Sequence, residues 1–331
     1  MADLRVGLIG YGLAGRVFHA PFVDAVDGLK LTAVVTSRES EVRERHPGVE
    51  VLPEPDGLWS RCDLVVLATP NRTHVPLALE ALRHDRPVVV DKPLAASADE
   101  AERVVRAARG GLTVFQNRRW DGDFLTVRRL VEGGTLGPVH RFESRFARYK
   151  PEVAAGAWRE QAHPAEGGGL LLDLGSHLVD QAIQLFGPVR GVHAEADRVR
   201  FGAEVEDDVF LALEHGGGVR SHLWMSSIAP MVLPRFALQG IAGGFACDGL
   251  DPQEAQLEEG FRPGDSGFGD ASAPGRYTDR FGTSPYALAR GDYLAFYRGV
   301  LEWLRRDAAP PVDPAGVVAV LRVLDAARGS Q

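Results

Sequence analysis

A short apolar run, Leu4–Ile9, broken only by Arg5 and Gly7, leads straight into Gly10-Tyr11-Gly12-Leu13-Ala14-Gly15 and then a helical pattern. A GxGxxG loop alone constrains little, because glycine-rich turns are common. Seated between a buried strand and a helix, it leaves few choices of fold, because it then forms the first turn of a βαβ unit whose helix N-terminus receives a phosphate. Gly10 permits the tight turn, Gly12 lets a pyrophosphate approach the backbone, and Gly15 lets the helix pack on the sheet. A merely structural glycine turn is the plain alternative, and the flanking strand and helix weigh against it.

Up to about Gln116 the same alternation continues. Apolar runs at Leu29–Val35, Val49–Leu52, Leu64–Ala68, Val88–Val90 and Leu112–Phe115 are separated by helix-like stretches such as Ala14–Val26, His74–Arg83 and Ala98–Arg109. Runs this short read as strands of a parallel sheet rather than buried helices. From Arg119 the texture changes. Val139–Tyr149 alternates with Phe142 and Phe146 on one face, and Gly191–Arg200, Asp208–Leu213, Val219–Met225, Phe236–Gly240 and Gly244–Cys247 follow as further strands joined by turns. Strands without intervening helices predict a mostly antiparallel sheet. One helix, Gly169–Phe186, precedes most of them. Asp251–Asp292 is rich in Gly, Pro, Asp and Ser and predicts a long irregular excursion. Tyr293–Arg305 and Pro314–Ala327 close the chain as helices, the second started by Asp313 and Pro314.

The chain has 331 residues, longer than one core usually fills, so two domains are expected: 1–118 and 119–331, the final helix packing back on the first. A formal charge of −8 argues against a nucleic-acid partner. Cys62 and Cys247 are too few for a disulfide framework and lack CxxC spacing for zinc. The N-terminus has no basic leader, and no apolar run has the length of a membrane span, so the expectation is a cytoplasmic protein without membrane attachment.

The second strand bears on the choice of dinucleotide. A chain built for NAD carries Asp or Glu at its end, about 20 residues past the glycines, to hold the ribose hydroxyls. Here the residues are Val34-Val35-Thr36-Ser37-Arg38. Ser37 and Arg38 are suited to gripping a 2′-phosphate through charge-assisted hydrogen bonds, which favours NADP. Glu39 and Glu41 follow closely and keep NAD open.

After the strand Val88–Val90 comes Asp91-Lys92-Pro93, and further on Gly167-Gly168-Gly169-Leu170-Leu171-Leu172-Asp173-Leu174-Gly175-Ser176-His177. With Thr69-Pro70-Asn71 and His74, these resemble in order and spacing the glucose–fructose oxidoreductase and inositol dehydrogenase (Gfo/Idh/MocA) family, with its EKP and GGxxxDxGxH motifs. Asp91 stands where that family usually has Glu, one methylene shorter. Asn117-Arg118-Arg119-Trp120-Asp121, Phe18-His19-Ala20-Pro21 and Ser227-Ile228-Ala229-Pro230 are similar to its NADP-dependent scyllo-inositol dehydrogenase branch. The resemblance implies an N-terminal Rossmann domain with a parallel sheet and a C-terminal α+β domain with a large, open, mostly antiparallel sheet. It also implies a homodimer or homotetramer, and an oxidoreductase acting on a ring alcohol or ketone of a polyol or sugar.

Oxidising a secondary alcohol needs a proton acceptor, a hydride acceptor and a group that steadies the developing alkoxide. His177 is the candidate base. Lys92, at the C-terminal end of a strand, is the candidate oxygen holder. Asp173 precedes His177 by one helical turn and is placed to orient the imidazole or bind a neighbouring hydroxyl, with Asp180 a weaker candidate for the same face. The plain alternatives are a loop cation, helix-start residues, or a metal pair lacking its other ligands. The expected cofactor contacts are Gly10, Gly12, Leu13, Ala14, Gly15, Ser37, Arg38, Thr69, Pro70, Asn71, His74, Asp91, Lys92, Asn117, Trp158 and Arg159. The expected substrate contacts are Lys92, Asp173 and His177, with Arg119 and Tyr149 in support and Arg159 between the two sets. No metal is expected. Two rivals stay open: a nucleotide-binding sensor without turnover, and a dihydrodiol- or biliverdin-type reductase.

Overall fold

The computed structural model describes residues 2–153, 167–306 and 308–329. Strands β1 (Leu4–Ile9), β2 (Leu29–Val35), β3 (Glu50–Leu52), β4 (Leu64–Leu67), β5 (Val88–Asp91) and β6 (Leu112–Phe115) form the first sheet. Their order is β3-β2-β1-β4-β5-β6, and every pairing is parallel. Each expected apolar run carries one strand. β4 and β6 are buried along their whole length, as strands covered by helices on both faces must be. The order reverses between β1 and β4, so the loops leaving their C-terminal ends part and open a crevice.

Among the described residues the α-helices are α1 (Ala20–Asp24), α2 (Glu39–Arg45), α3 (His74–Arg83), α4 (Ala98–Ala108), α5 (Gly122–Glu132), α6 (Leu170–Asp173), α7 (Gly175–Phe186), α8 (Gln253–Glu258), α9 (Leu294–Arg306) and α10 (Pro314–Gly329). A π-helical turn, Ala14–His19, leads into α1, with Ala20 N–H donating to the Gly15 carbonyl. Pro21 supplies the reason, since it has no N–H to donate and its ring crowds the preceding turn. The expected helix 169–186 is likewise split into α6 and α7 at Leu174.

β7 (Val139–Ala147), β8 (Val189–Asp197), β9 (Asp208–His215), β10 (Arg220–Ser226), β11 (Phe236–Gly240), β12 (Gly244–Cys247), β13 (Gly275–Asp279) and β14 (Gly282–Tyr286) build the second sheet. The order is β14-β13-β12-β11-β7-β10-β9-β8, antiparallel throughout except where β7 meets β10. Phe142, Phe146, Leu211, Leu223 and Met225 are buried on one face, where α7 packs. Phe210, His222 and Trp224 on the other face remain partly open.

The 251–292 segment is more regular than its composition suggests, because α8, β13 and β14 lie within it. The hairpin is an edge with mostly exposed polar side chains, so it carries no apolar alternation. Asp279 Oδ1 accepts from Phe281 N–H in its turn, and the Thr278 and Thr283 hydroxyls pair across it at 2.9 Å. The last helix, α10, packs on both α4 and α7. Asp325 accepts from Ala98 N–H at 2.8 Å, Arg328 donates to the Ala96 carbonyl at 2.9 Å, and Arg322 pairs with Glu102. Helix α10 thus fixes how the two sheets sit across the crevice.

Candidate functional site

The glycine loop has the steric form its sequence requires. Gly10 has φ +96°, and a Cβ there would lie 2.4 Å from the Ala68 carbonyl oxygen after β4. A Cβ on Gly15 would lie 2.1 Å from the Gly10 carbonyl. At Gly12 the same added atom would meet nothing within 4 Å, so the space over the loop is clear. Leu13 is exposed and Ala14 half-buried beside it, and the first helical turn leaves amides without intrahelical acceptors. The loop therefore fits a pyrophosphate.

At the end of β2, Ser37 and Arg38 are exposed. Thr36 Oγ1 accepts from Arg38 N–H at 3.1 Å and shapes the turn. The Arg38 guanidinium pairs with Glu41 at 2.9 Å, while Glu39 is engaged by Arg43 instead.

The loops after β4 and β5 are tied together by His74. Its Nε2 lies 2.9 Å from the Thr69 carbonyl and its Nδ1 2.8 Å from that of Pro93, with the ring fully buried. Burial pushes this imidazole below its usual range. A neutral ring carries one N–H and donates to one of these two carbonyls at a time, so His74 links the Thr69-Pro70 and Lys92-Pro93 turns, the second of which contains a cis peptide. Thr69 and Thr73 hydroxyls pair at 2.7 Å, and Asn71 Nδ2 donates to the Gly167 carbonyl across the crevice at 3.2 Å.

Lys92 is the meeting point. Its ammonium, 15% exposed, donates to Asp173 Oδ1 at 2.7 Å and to the Asp173 carbonyl at 2.8 Å. Asp91 turns inward, where its Oδ1 accepts from Lys92 N–H at 2.8 Å and lies 3.9 Å from His19 Nε2. His19 is fully buried and bonds the Tyr297 hydroxyl at 2.6 Å through Nδ1. His177 is 3% exposed, and its buried Nδ1 has no hydrogen-bond partner among the described residues. Burial, then the cations Lys92, Arg118 and Arg235, hold the ring well below the ordinary imidazole range. The ring is therefore neutral near pH 7.

Asp173 gains its place through a contact invisible in the sequence. Gly169 has φ +92°, and its missing side chain makes room for Glu206 from the β8–β9 connection. Glu206 Oε1 accepts from Leu171 N–H at 3.1 Å, satisfying an orphan donor at the start of α6.

The segment after β6 is engaged from within. Asn117 is buried, and Arg118 pairs with Asp121 and Glu254 and lies over the Phe146 ring. Arg119 forks onto Asp180 of α7 at 2.8 and 2.6 Å. Tyr149 is exposed and bridges Ile228. Trp158 and Arg159 lie outside the described residues. The structure thus brings Lys92, Asp173 and His177 to one edge of the crevice, and gives Arg119 and Asp180 to each other. Among the described residues, no three His, Cys, Asp or Glu side chains are grouped to hold a metal ion, and no helix is long and apolar enough to cross a membrane.

Comparison with known proteins agrees with this architecture. Residues 4–117 match the oxidoreductase family with an NAD-binding Rossmann fold, and residues 124–246 match the GFO/IDH/MocA C-terminal domain. The scyllo-inositol 2-dehydrogenase (NADP(+)) IolW of Bacillus subtilis (strain 168) is 36% identical, over 99% of this chain and 93% of the relative. The D-glucoside 3-dehydrogenase of Escherichia coli (strain K12) is 28% identical, over 68% of this chain and 70% of the relative. A solved structure of yvaA from Bacillus subtilis superposes with a TM-score of 0.95 at 35% identity, covering 99% of this chain and 96% of that one.

Proposed function

The chain belongs to the GFO/IDH/MocA family of NAD(P)-dependent oxidoreductases, and from that premise we propose that it moves hydride between NADP(H) and a ring secondary alcohol or ketone of an inositol or sugar. The observation that carries this reading is the Lys92 ammonium, held on Asp173 at the crevice edge, with a buried neutral His177 a few residues further along.

The nicotinamide, when bound, supplies the acceptor for the hydride leaving the carbinol carbon. The chain supplies the rest. Neutral His177 takes the hydroxyl proton, and its Nδ1, without a partner among the described residues, supports that role. Lys92 donates to the same oxygen as negative charge develops on it. Asp173 keeps the ammonium aimed, and in the reverse direction His177 returns the proton. Gly10, Gly12, Leu13, Ala14 and Gly15 would hold the pyrophosphate, Ser37 and Arg38 the 2′-phosphate, and Asn71 and Asn117 the nicotinamide end of the dinucleotide. His74 and Asp91 act by fixing the turns that carry these groups. Among the described residues, Tyr149 is the remaining candidate for the outer substrate hydroxyls.

Residues 1–118 act as the dinucleotide domain and 119–331 as the substrate domain. The open face of the second sheet suits a homodimer or homotetramer, and the cytoplasm suits the expected reduced nicotinamide pool.

The test is a plate of polyols and sugars, including scyllo- and myo-inositol, followed by reduced-nicotinamide absorbance with NADP and NAD in parallel. Turnover of an inositol with NADP preferred is expected. Tight NADP binding with no turnover in either direction would replace this reading with a non-catalytic nucleotide sensor.

A further inference from the structure

Glu41 sits between two cations that approach from different segments of the nucleotide crevice. Its Oε1 accepts from Arg38 Nη1 at 2.9 Å, on the turn after β2. Its Oε2 lies 3.3 Å from Arg16 Nη1, on the π-helical turn that follows the glycine loop. One carboxylate oxygen serves each guanidinium. The neighbouring Glu39 is not part of this arrangement, because Arg43 holds it at 2.6 Å one turn along α2. The three groups are accessible: the side chains of Arg16, Glu41 and Arg38 are 32%, 34% and 53% exposed.

We propose that Glu41 is a specificity-determining residue: its carboxylate occupies the anion seat between Arg16 and Arg38 that a ribose 2′-phosphate takes, and so sets how strongly the phosphorylated dinucleotide is preferred. This deepens, and rests on, the reading that Arg38 meets the 2′-phosphate. Arg16 becomes the second cation of that seat. A phosphate monoester carries more negative charge than a carboxylate and three acceptor oxygens, so it bonds both guanidinium groups at least as well. Solvent-exposed ion pairs are weak, so Glu41 yields to that competitor and the exchange takes place. With a nucleotide lacking the phosphate, Glu41 stays and keeps the two cations neutralised. Binding of the phosphorylated form is therefore weakened by the contacts it must displace, and binding of the plain form is little affected.

The probes are adenosine 2′,5′-bisphosphate and ADP, titrated calorimetrically into the full chain at low and moderate salt. Glu41→Gln is expected to tighten the bisphosphate by about two- to tenfold while changing ADP less than about twofold. The gain is expected to shrink as salt rises. Arg16→Met and Arg38→Met are each expected to weaken the bisphosphate selectively. Glu41→Ala serves as the second variant, with thermal melts confirming that both Glu41 variants fold. If both bind the bisphosphate no better than wild type while Arg38→Met still weakens it selectively, the role of Glu41 is overturned and the NADP reading survives. If wild type does not distinguish the two probes and Arg38→Met alters neither, the NADP reading fails, and the role of Glu41 with it.

Discussion

Replacing Arg119 by Met asks whether its guanidinium supports the fold or a substrate. Arg119 Nε and Nη2 donate to the two oxygens of Asp180 at 2.8 and 2.6 Å, a parallel fork between the segment after β6 and helix α7. The side chains are 11% and 2% exposed, so water neither screens the pair nor replaces a lost partner. Removing the cation alone strands a carboxylate in the interior, at a cost of about 3–5 kcal/mol. Against a net folding stability of about 5–15 kcal/mol, that is a large fraction. Replacing both partners, with Arg119→Met and Asp180→Leu together, removes the stranded charge and is expected to recover most of the loss. Urea unfolding followed by circular dichroism measures both variants without cofactor or substrate. The reasoning is refuted if Arg119→Met unfolds like wild type, the double variant brings no recovery, and KM for the substrate rises instead.

Lys92→Met is expected to lower kcat/KM about 10²–10³-fold, as loss of a donor to a developing oxyanion does, with little change in the Kd for NADP by fluorescence titration. The pH profile follows from the direction of the His177 shift. A base is active when unprotonated, and burial with its cationic neighbours lowers this imidazole well below 6.5. The acid limb of kcat/KM for alcohol oxidation is therefore expected below pH 6.5; a limb at or above that value takes the base role away from His177. Gly169→Ala puts a Cβ 2.2 Å from Glu206 Oε1 at a φ of +92°. It is expected to expel the carboxylate that caps α6, cost about 1–3 kcal/mol and lower the melting temperature, whereas Glu206→Gln, which keeps an acceptor there, is milder.

The parts of this molecule that were readable in the sequence are those specified by neighbouring residues. The first sheet was legible because strands buried on both faces must be continuous apolar runs, as Leu64–Leu67 is, and because the glycines after β1 have individual steric reasons. Lys92, Asp173 and His177 were legible through their motifs. The hairpin β13–β14 was not, because an exposed edge needs no apolar face. Nor was the break at Leu174, which places Asp173 on Lys92 rather than in a continuous helix with His177. The remaining supports join residues far apart in the chain: His19 with Tyr297, Leu171 with Glu206, Arg119 with Asp180. Each residue carries a plain local explanation, and only the packed fold pairs them. Arg119 illustrates this most clearly, since a lone arginine beside a crevice reads as a substrate contact until its carboxylate partner is seen.

The most direct test of the central claim is to oxidise an inositol carrying deuterium on its carbinol carbon and weigh the reduced cofactor. The account predicts that the deuterium is recovered on the nicotinamide, that turnover shows a primary isotope effect, and that Lys92→Met and His177→Gln slow the transfer. Reduced cofactor carrying solvent hydrogen, or tight dinucleotide binding with no transfer from any polyol, would contradict it.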